Sequence, residues 1–259
     1  MSNYFKRKDE LTKKAREHTE EMRVKYKQEI KHSVAHTTIY GPDEVVFDDE
    51  LKTPTENIIL CDLTSGDAIE HYVEEGKRTA VLNFASYRNP GGRFIDGSSA
   101  QEECLCHESF LYNVLLHFPD YYMWNNKNKR YSLYTNRAMY TKDILFRDKI
   151  KCDVLTCAAP NPGSALKFHP KFVTKKDCEN TMRERIKFVL DVAVANKVDV
   201  LILGAFGCGA FRNEPEYVAK YFHEFLKNHH FEKVIFAIPR SVNNINYHTF
   251  KKEFEEDLE

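Results

Sequence analysis

The chain has 259 residues, 42% of them hydrophobic, enough to bury one substantial core. A formal net charge of −1 excludes a surface that is basic throughout and traps nucleic acid by bulk electrostatics, although it leaves room for a local basic strip. No run of about 18 apolar residues offers a membrane span, and residues 1–10 (MSNYFKRKDE) lack the apolar stretch of a secretory signal. Seven scattered cysteines read as reduced thiols, so a cytoplasmic, intracellular protein is expected, with the nucleus open to it in a eukaryote.

Residues 6–30 are charged and free of Gly and Pro, with Leu11, Ala15, Met22, Tyr26 and Ile30 spaced for one amphipathic helix. Lys and Arg outnumber Asp and Glu ten to six over residues 1–32, which suits a solvated helix lying along the domain, with a partner-binding helix as the other reading. Residues 32–55 carry Gly41-Pro42 and Pro54 and predict irregular chain, with a short strand near Val45-Val46-Phe47. From residue 57 strands alternate with helices. Strands are predicted at 57–61, 79–84, 153–158, 198–203 and 233–238. Helices are predicted at 64–75 (capped by Thr64 or Ser65 and closed by Gly76), 101–117, 175–195 and 215–228. Residues 118–150 read as a hairpin around 132–140, and Pro160-Asn161-Pro162-Gly163 as a turn. This rhythm implies an α/β fold whose largely parallel sheet is covered on both faces.

Two loops carry chemistry. The first runs from Asn89-Pro90-Gly91-Gly92 to Gln101-Glu102-Glu103, after a buried strand and into a helix. In open α/β sheets ligands sit at that edge, and paired glycines let the backbone approach them. The second, residues 204–215, runs from a strand through Gly204, Gly207 and Gly209 to Pro215. A strand–glycine loop–helix unit is a phosphate cradle made of backbone amides. It has neither a Walker Lys nor a dinucleotide-fingerprint spacing. A tight turn is the plainer reading of either loop alone, and the two together favour a ligand site.

These residues resemble a known family. Asn83-Phe84-Ala85, Asn89-Pro90-Gly91-Gly92 and Gln101-Glu102-Glu103 look like the signature of microbial-type poly(ADP-ribose) glycohydrolases, and residues 204–213 like that family's diphosphate loop. Leu133-Tyr134-Thr135, Phe146-Arg147-Asp148 and 157–161 extend the likeness over nearly the whole chain. The resemblance implies a three-layer α/β/α macrodomain-like fold with a mixed, largely parallel sheet. Residues 1–55 would form an N-terminal helical extension of a catalytic domain at 56–259, the two making one structural unit. It implies hydrolysis of ribose–ribose bonds in poly(ADP-ribose) or ADP-ribosylated protein by a monomer without cofactor or metal, with nucleic acid a partner only where it is itself ADP-ribosylated. By the same resemblance Glu103 is the general acid and then the base, and Glu102 orients the sugar with Gln101 beside it. Gly207, Cys208, Gly209 and Ala210 would hold the diphosphate, Phe211 would pack on the distal ribose, and Asp62 would accept from the adenine amine or else cap the next helix.

On a helix Glu102 and Glu103 diverge by about 100° and do not easily flank one ring, which favours a division of labour. A helix N-terminus favours their ionised form, whereas burial and a ligand phosphate favour the protonated one. Cys104 and Cys106, at i and i+2, have poor geometry for a metal, and Cys208 has no base beside it in sequence. Arg93 stands where the family pattern has a third glycine. It either crowds the distal ribose or points outward to a phosphate or a carboxylate, and its presence points to removal of single ADP-ribose units over chain processing. The alternatives are a hydrolase of mono-ADP-ribosylated acceptors, a non-catalytic ADP-ribose reader, and an adaptor using the basic N-terminal helix.

Overall fold

Seven strands form one sheet in the order β1-β4-β5-β3-β6-β7-β2. The computed structural model describes residues 3–42, 44, 53–240 and 244–258. The strands are β1 (Thr37–Tyr40), β2 (Ile58–Cys61), β3 (Thr79–Phe84), β4 (Ala138–Phe146), β5 (Ile150–Cys157), β6 (Val200–Leu203) and β7 (Lys233–Ala237). Every pairing is parallel except those of β4 with β1 and β5. Buried strands of this kind must satisfy two apolar faces, and successive side chains serve them alternately. Ala80, Leu82, Leu201, Leu203, Val234 and Phe236 enter one core, while Val81, Val200, Ile202 and Ile235 enter the other.

The first core is covered by α8 (Lys175–Ala195), α9 (Pro215–Leu226) and α10 (Ile245–Glu253). Helix α8 has the predicted bounds, because its signals are local. Thr174 and Asp177 form a reciprocal capping box, and Met182, Ile186, Val189, Leu190 and Ala193 line one fully buried stripe. The second core is covered by α1 (Asn3–Lys25), α2 (Lys27–Ala35), α3 (Ser65–Tyr72), α4 (Gln101–His107), α5 (Leu111–Leu115) and α6 (Pro119–Lys127). The short α7 (Pro162–Phe168) lies beyond the end of β5, capped by the Asn161 side chain.

Several expectations are corrected. The single N-terminal helix is two, divided at Tyr26 (φ −115°, ψ 32°), whose hydroxyl donates to Asp148 Oδ1 at 2.8 Å and whose ring meets Phe110. Residues 37–40, read as irregular, are the edge strand β1, and the strand expected near Val45-Val46-Phe47 lies outside the described residues. The helix expected over 101–117 is interrupted at 108–110, where Ser109 Oγ donates to Leu105 O and accepts the Leu111 N–H. The hairpin is β4–β5, over 138–157 and not around 132–140. Its turn places Arg147 and Asp148 at φ 48° and 62°, and Lys149 N–H donates to Phe146 O. Such a turn usually carries Asn or Gly; here ion pairs of Arg147 with Asp67, Glu70 and Glu108, and of Asp148 with Lys25, hold it. Helices α6, α7 and α10 were not anticipated.

One consequence of topology matters most. β3 and β6 are parallel neighbours, Val81 opposite Ile202, so the loops leaving Phe84 and Leu203 emerge side by side at one edge of the sheet.

Candidate active site

Between those loops lies a cavity of about 690 Å³ whose lining includes Asn89, Gly92, Gln101, Glu102, Glu103, Gly207, Gly209, Ala210 and Phe211. Sequence positions more than 100 apart thus share one wall. A second concavity, about 530 Å³, sits at the opposite end of the sheet among Lys77, Arg78, Lys142, Lys151 and Lys197, and holds none of these residues.

The acidic pair is built from below and above. Gln101, in the first turn of α4, ties that turn to β3: its Oε1 accepts the Phe84 N–H (2.9 Å), and its Nε2 donates to Leu82 O (2.8 Å) and Ser65 Oγ (3.0 Å). Glu102 points down to the strand. Asn83 Nδ2 donates to its Oε1 (3.3 Å) and the Ser86 N–H to its Oε2 (2.7 Å), and the residue is only 3% exposed. Glu103, 5% exposed, turns to the glycine loop, where the Arg93 N–H donates to its Oε1 at 2.9 Å. Its Oε2 has no hydrogen-bond partner among the described residues.

Despite the divergence expected of helical neighbours, both carboxyls reach one point. A Cβ on Gly92 (φ 62°) would lie 2.6 Å from Glu103 Oε1 and 2.9 Å from Glu102 Oε2. Gly92 is therefore required for its left-handed backbone and for its missing side chain. Burial, with the charge of Glu103 adding to it, pushes the Glu102 carboxyl up to about 8, against the opposing pull of the Ser86 amide and Asn83.

Gly91 is buried beneath this point, where a Cβ would lie 2.6 Å from the Tyr112 ring, and it shapes the loop without lining the cavity. Asn89 is exposed at the rim; its N–H donates to Ser86 Oγ and its carbonyl accepts the Gly92 N–H. Arg93 has φ −118°, a conformation that needs no glycine. Its side chain is 67% exposed and turns to Asp96 (3.3 Å), so of the two readings offered for this position the outward one is seen.

The second loop is pinned from behind. Asn213 Nδ2 donates to Pro160 O (2.9 Å) and Gly207 O (3.0 Å), and its Oδ1 accepts from Tyr217. Gly207 (φ 73°) admits no side chain, since a Cβ would meet Ala159 Cβ and Asn213 Nδ2 at 2.6 Å. Gly209 faces open space. The N–H groups of Gly209, Ala210 and Phe211 donate to no described residue, and the three residues line the cavity. Phe211 is half-buried, edge-on to Tyr134 at 6.3 Å.

Two predicted residues stand apart. Cys208 does not line the cavity; burial pushes its thiol up to about 12, which leaves it unreactive at neutral pH. Asp62 is exposed beyond the end of β2, where its Oδ1 accepts the Arg240 N–H (2.7 Å) and its Oδ2 pairs with Arg240 Nε (3.6 Å); Thr64, not Asp62, caps α3. Sequence reasoning missed Asn83, Ser86, Ser65 and Asn213 as supports. An Asn in an otherwise apolar strand is the one signal that marks such a support, because a fully buried amide must find a partner.

The family model for the microbial-type PARG catalytic domain matches residues 8–148, a span that includes the acidic loop. No curated protein matches the chain. Among solved structures, poly(ADP-ribose) glycohydrolase from Thermomonospora curvata bound to the inhibitor ADP-HPD superposes with a TM-score of 0.76 at 27% identity, over 88% of each chain. The poly(ADP-ribose) glycohydrolase from Deinococcus radiodurans in complex with ADP-ribose does so with a TM-score of 0.76 at 29% identity, over 88% of this chain and 97% of that one. With the mixed seven-stranded sheet, the two-loop cavity and a family match over more than half of its length, the chain belongs to the microbial-type poly(ADP-ribose) glycohydrolases.

Proposed function

We propose that this poly(ADP-ribose) glycohydrolase cleaves ribose–ribose O-glycosidic bonds with Glu103 as its acid/base, releasing ADP-ribose. The observation that carries the assignment is the asymmetry of the pair. Glu102 is tethered through both oxygens, whereas Glu103 is held through one and has the other to offer a substrate. In the reaction the bond from the distal ribose anomeric carbon to the leaving oxygen breaks, its electron pair goes to that oxygen, and Glu103 supplies the proton. The oxocarbenium-like centre then takes water, whose proton returns to Glu103. Glu102 holds the ribose hydroxyls, Phe211 backs the sugar, and the free amides of Gly209, Ala210 and Phe211 take the diphosphate.

The Arg93 side chain, at the cavity rim, is 67% exposed and paired with Asp96, which supports polymer over a restriction to single ADP-ribose units. All seven cysteines are free, and no described helix is long and apolar enough to cross a membrane, which supports an intracellular enzyme acting on poly(ADP-ribose) or ADP-ribosylated protein. The test is release of ADP-ribose from automodified poly(ADP-ribosyl)ated protein. Glu103→Ala is expected to lower release at least a thousandfold while ADP-ribose binding persists. Binding without release by the intact protein would leave a reader, and the catalytic assignment would fall.

A further inference from the structure

On the far side of Phe211 the surface changes character. The N–H of Gly163, in the first turn of α7, donates to Phe211 O at 3.0 Å, so α7, about 10 Å long, starts beside a residue of the cavity wall and lines none of the cavity itself. At its outer end Tyr131 and Phe172 stack in parallel, centroids 5.0 Å apart and planes 4° apart, with His169 at 5.2 Å from Tyr131. Rings normally stack to leave water, yet Tyr131 is 49% exposed, Phe172 67% and the neighbouring Phe168 65%. Lys167 Nζ lies over the Phe168 ring at 5.2 Å from its centroid, while Tyr131 and Phe172 keep ring surface exposed.

The backbone is held out of its preferred region to achieve this. Arg130, Tyr131, Ser132 and Tyr134 have φ of 43°, 56°, 71° and 64°. Left-handed backbone is unfavourable for each of these side chains, and such residues cluster where function demands them. The segment is locked by the Asn161 N–H on Ser132 O (2.9 Å), by Ser132 Oγ on Ser164 Oγ (3.0 Å) and by buried Arg185 on Leu133 O (3.4 Å).

The two segments that carry the stack are basic. Segments 127–132 and 167–176 hold seven Lys and Arg and no Asp or Glu, in a chain whose net charge is −1. Lys129, Arg130, Lys167 and Lys171 are exposed and make no ion pair with a described residue. Exposed aromatic rings among unpaired cations are what a flexible polyanion carrying bases binds.

We infer that the Tyr131–Phe172 stack and its basic surround form an exosite for the poly(ADP-ribose) chain beyond the two units joined at the scissile bond, adenine on the rings and diphosphate on the lysines. The inference rests on the polymer-cleaving reading above. In that reading the leaving oxygen belongs to the adenosine of the next unit, so the remaining chain departs from the distal ribose, the side on which Phe211 and α7 lie.

The experiment compares intact protein with Phe172→Ala, Tyr131→Ala and Lys171→Glu. It uses long automodified polymer, a single ADP-ribose–ADP-ribose linkage, and free ADP-ribose. Expected are a rise in KM for long polymer of roughly tenfold per aromatic removed, a shallower salt dependence for Lys171→Glu, and unchanged KM and Kd for the two small ligands. Phe172 and Lys171 are exposed, so their variants test the surface even where Tyr131→Ala fails to fold. An unchanged KM for long polymer, or an equal loss on the single linkage, would overturn the exosite. So would loss of single-stranded oligonucleotide binding with polymer binding intact, since the surface would then serve nucleic acid. If the intact protein releases nothing, the catalytic reading fails separately, and direct retention of labelled polymer still decides the exosite.

Discussion

Glu102 and Glu103 differ by one peptide unit and by everything around them. The strand amide of Asn83 and the N–H of Ser86 make Glu102 a fixed, buried group, and the Arg93 N–H makes Glu103 half-free. Because the folded-state pKa of Glu102 is raised from 4.5 to about 8, folding costs more as pH rises between those values. The folded state holds a proton there that the unfolded chain releases, and the cost is complete above about pH 8. Glu102→Gln is therefore expected to raise stability over wild type by on the order of 2 kcal/mol at pH 9 and to do nothing at pH 4, measured by denaturant titration at both. A gain that did not grow with pH would refute a proton held by Glu102. Arg93→Gly restores the family glycine where φ is −118°, so no backbone relief is available. Activity on polymer should stay within about threefold while stability drops by about 0.5–1 kcal/mol. Much of this scale was legible in the sequence: the Gln-Glu-Glu triplet, the paired glycines and the diphosphate glycines are contiguous runs. The convergence of two helical neighbours on Gly92 was not, because it depends on how α4 meets the loop.

At the level of elements, the accuracy of a sequence reading follows how locally each element is determined. Helix α8 carries its own capping box and a long apolar stripe, and β3, β6 and β7 are short apolar runs between helices. The β4–β5 turn, by contrast, is left-handed at Arg and Asp only because partners from α1, α3 and the 108 corner hold both side chains. Arg185 works the same way from inside. It is fully buried; Nε donates to Asn136 Oδ1 (2.7 Å), Nη2 to Leu133 O (3.4 Å) and a third nitrogen to Ala158 O, joining α8 to the segment behind Phe211. Burial lowers its pKa, and these acceptors keep the charge tolerable. Arg185→Met should cost about 3–5 kcal/mol, and Arg185→Lys should not rescue it, since an ammonium does not reproduce the planar fork. Gly207→Ala is expected to weaken ADP-ribose binding at least tenfold, because the new methyl pushes Asn213 from the loop it pins. Calorimetric titration with ADP-ribose reads this directly, and wild-type affinity would show that the loop tolerates the shift.

Across the whole molecule, the N-terminal helices are joined to the catalytic core. Ala15, Met22 and Ile30 are buried in the second core, Asn113 Nδ2 donates to Thr19 O (2.9 Å), and a Cβ on Gly97 would lie 2.5 Å from Lys8 O. The loop that presents the acids thus rests on α1. Met22→Asp should lower the melting temperature by about 5–10 °C, and deletion of residues 1–35 should abolish polymer cleavage; a shortened chain with full stability and activity would make the extension separable. The sequence by itself determined the alternating α/β class, the two glycine loops and the residue types available for proton transfer and phosphate binding, because these depend on periodicity and on contiguous motifs. Tertiary structure alone decided that the loops after β3 and β6 adjoin, that Cys208 and Asp62 stay off the cavity wall, that Arg93 turns outward, and that Tyr131 meets Phe172 in the open. Each of these depends on which strands are neighbours and on the hydrogen bonds that hold distant segments together, and neither is written in any local stretch of chain.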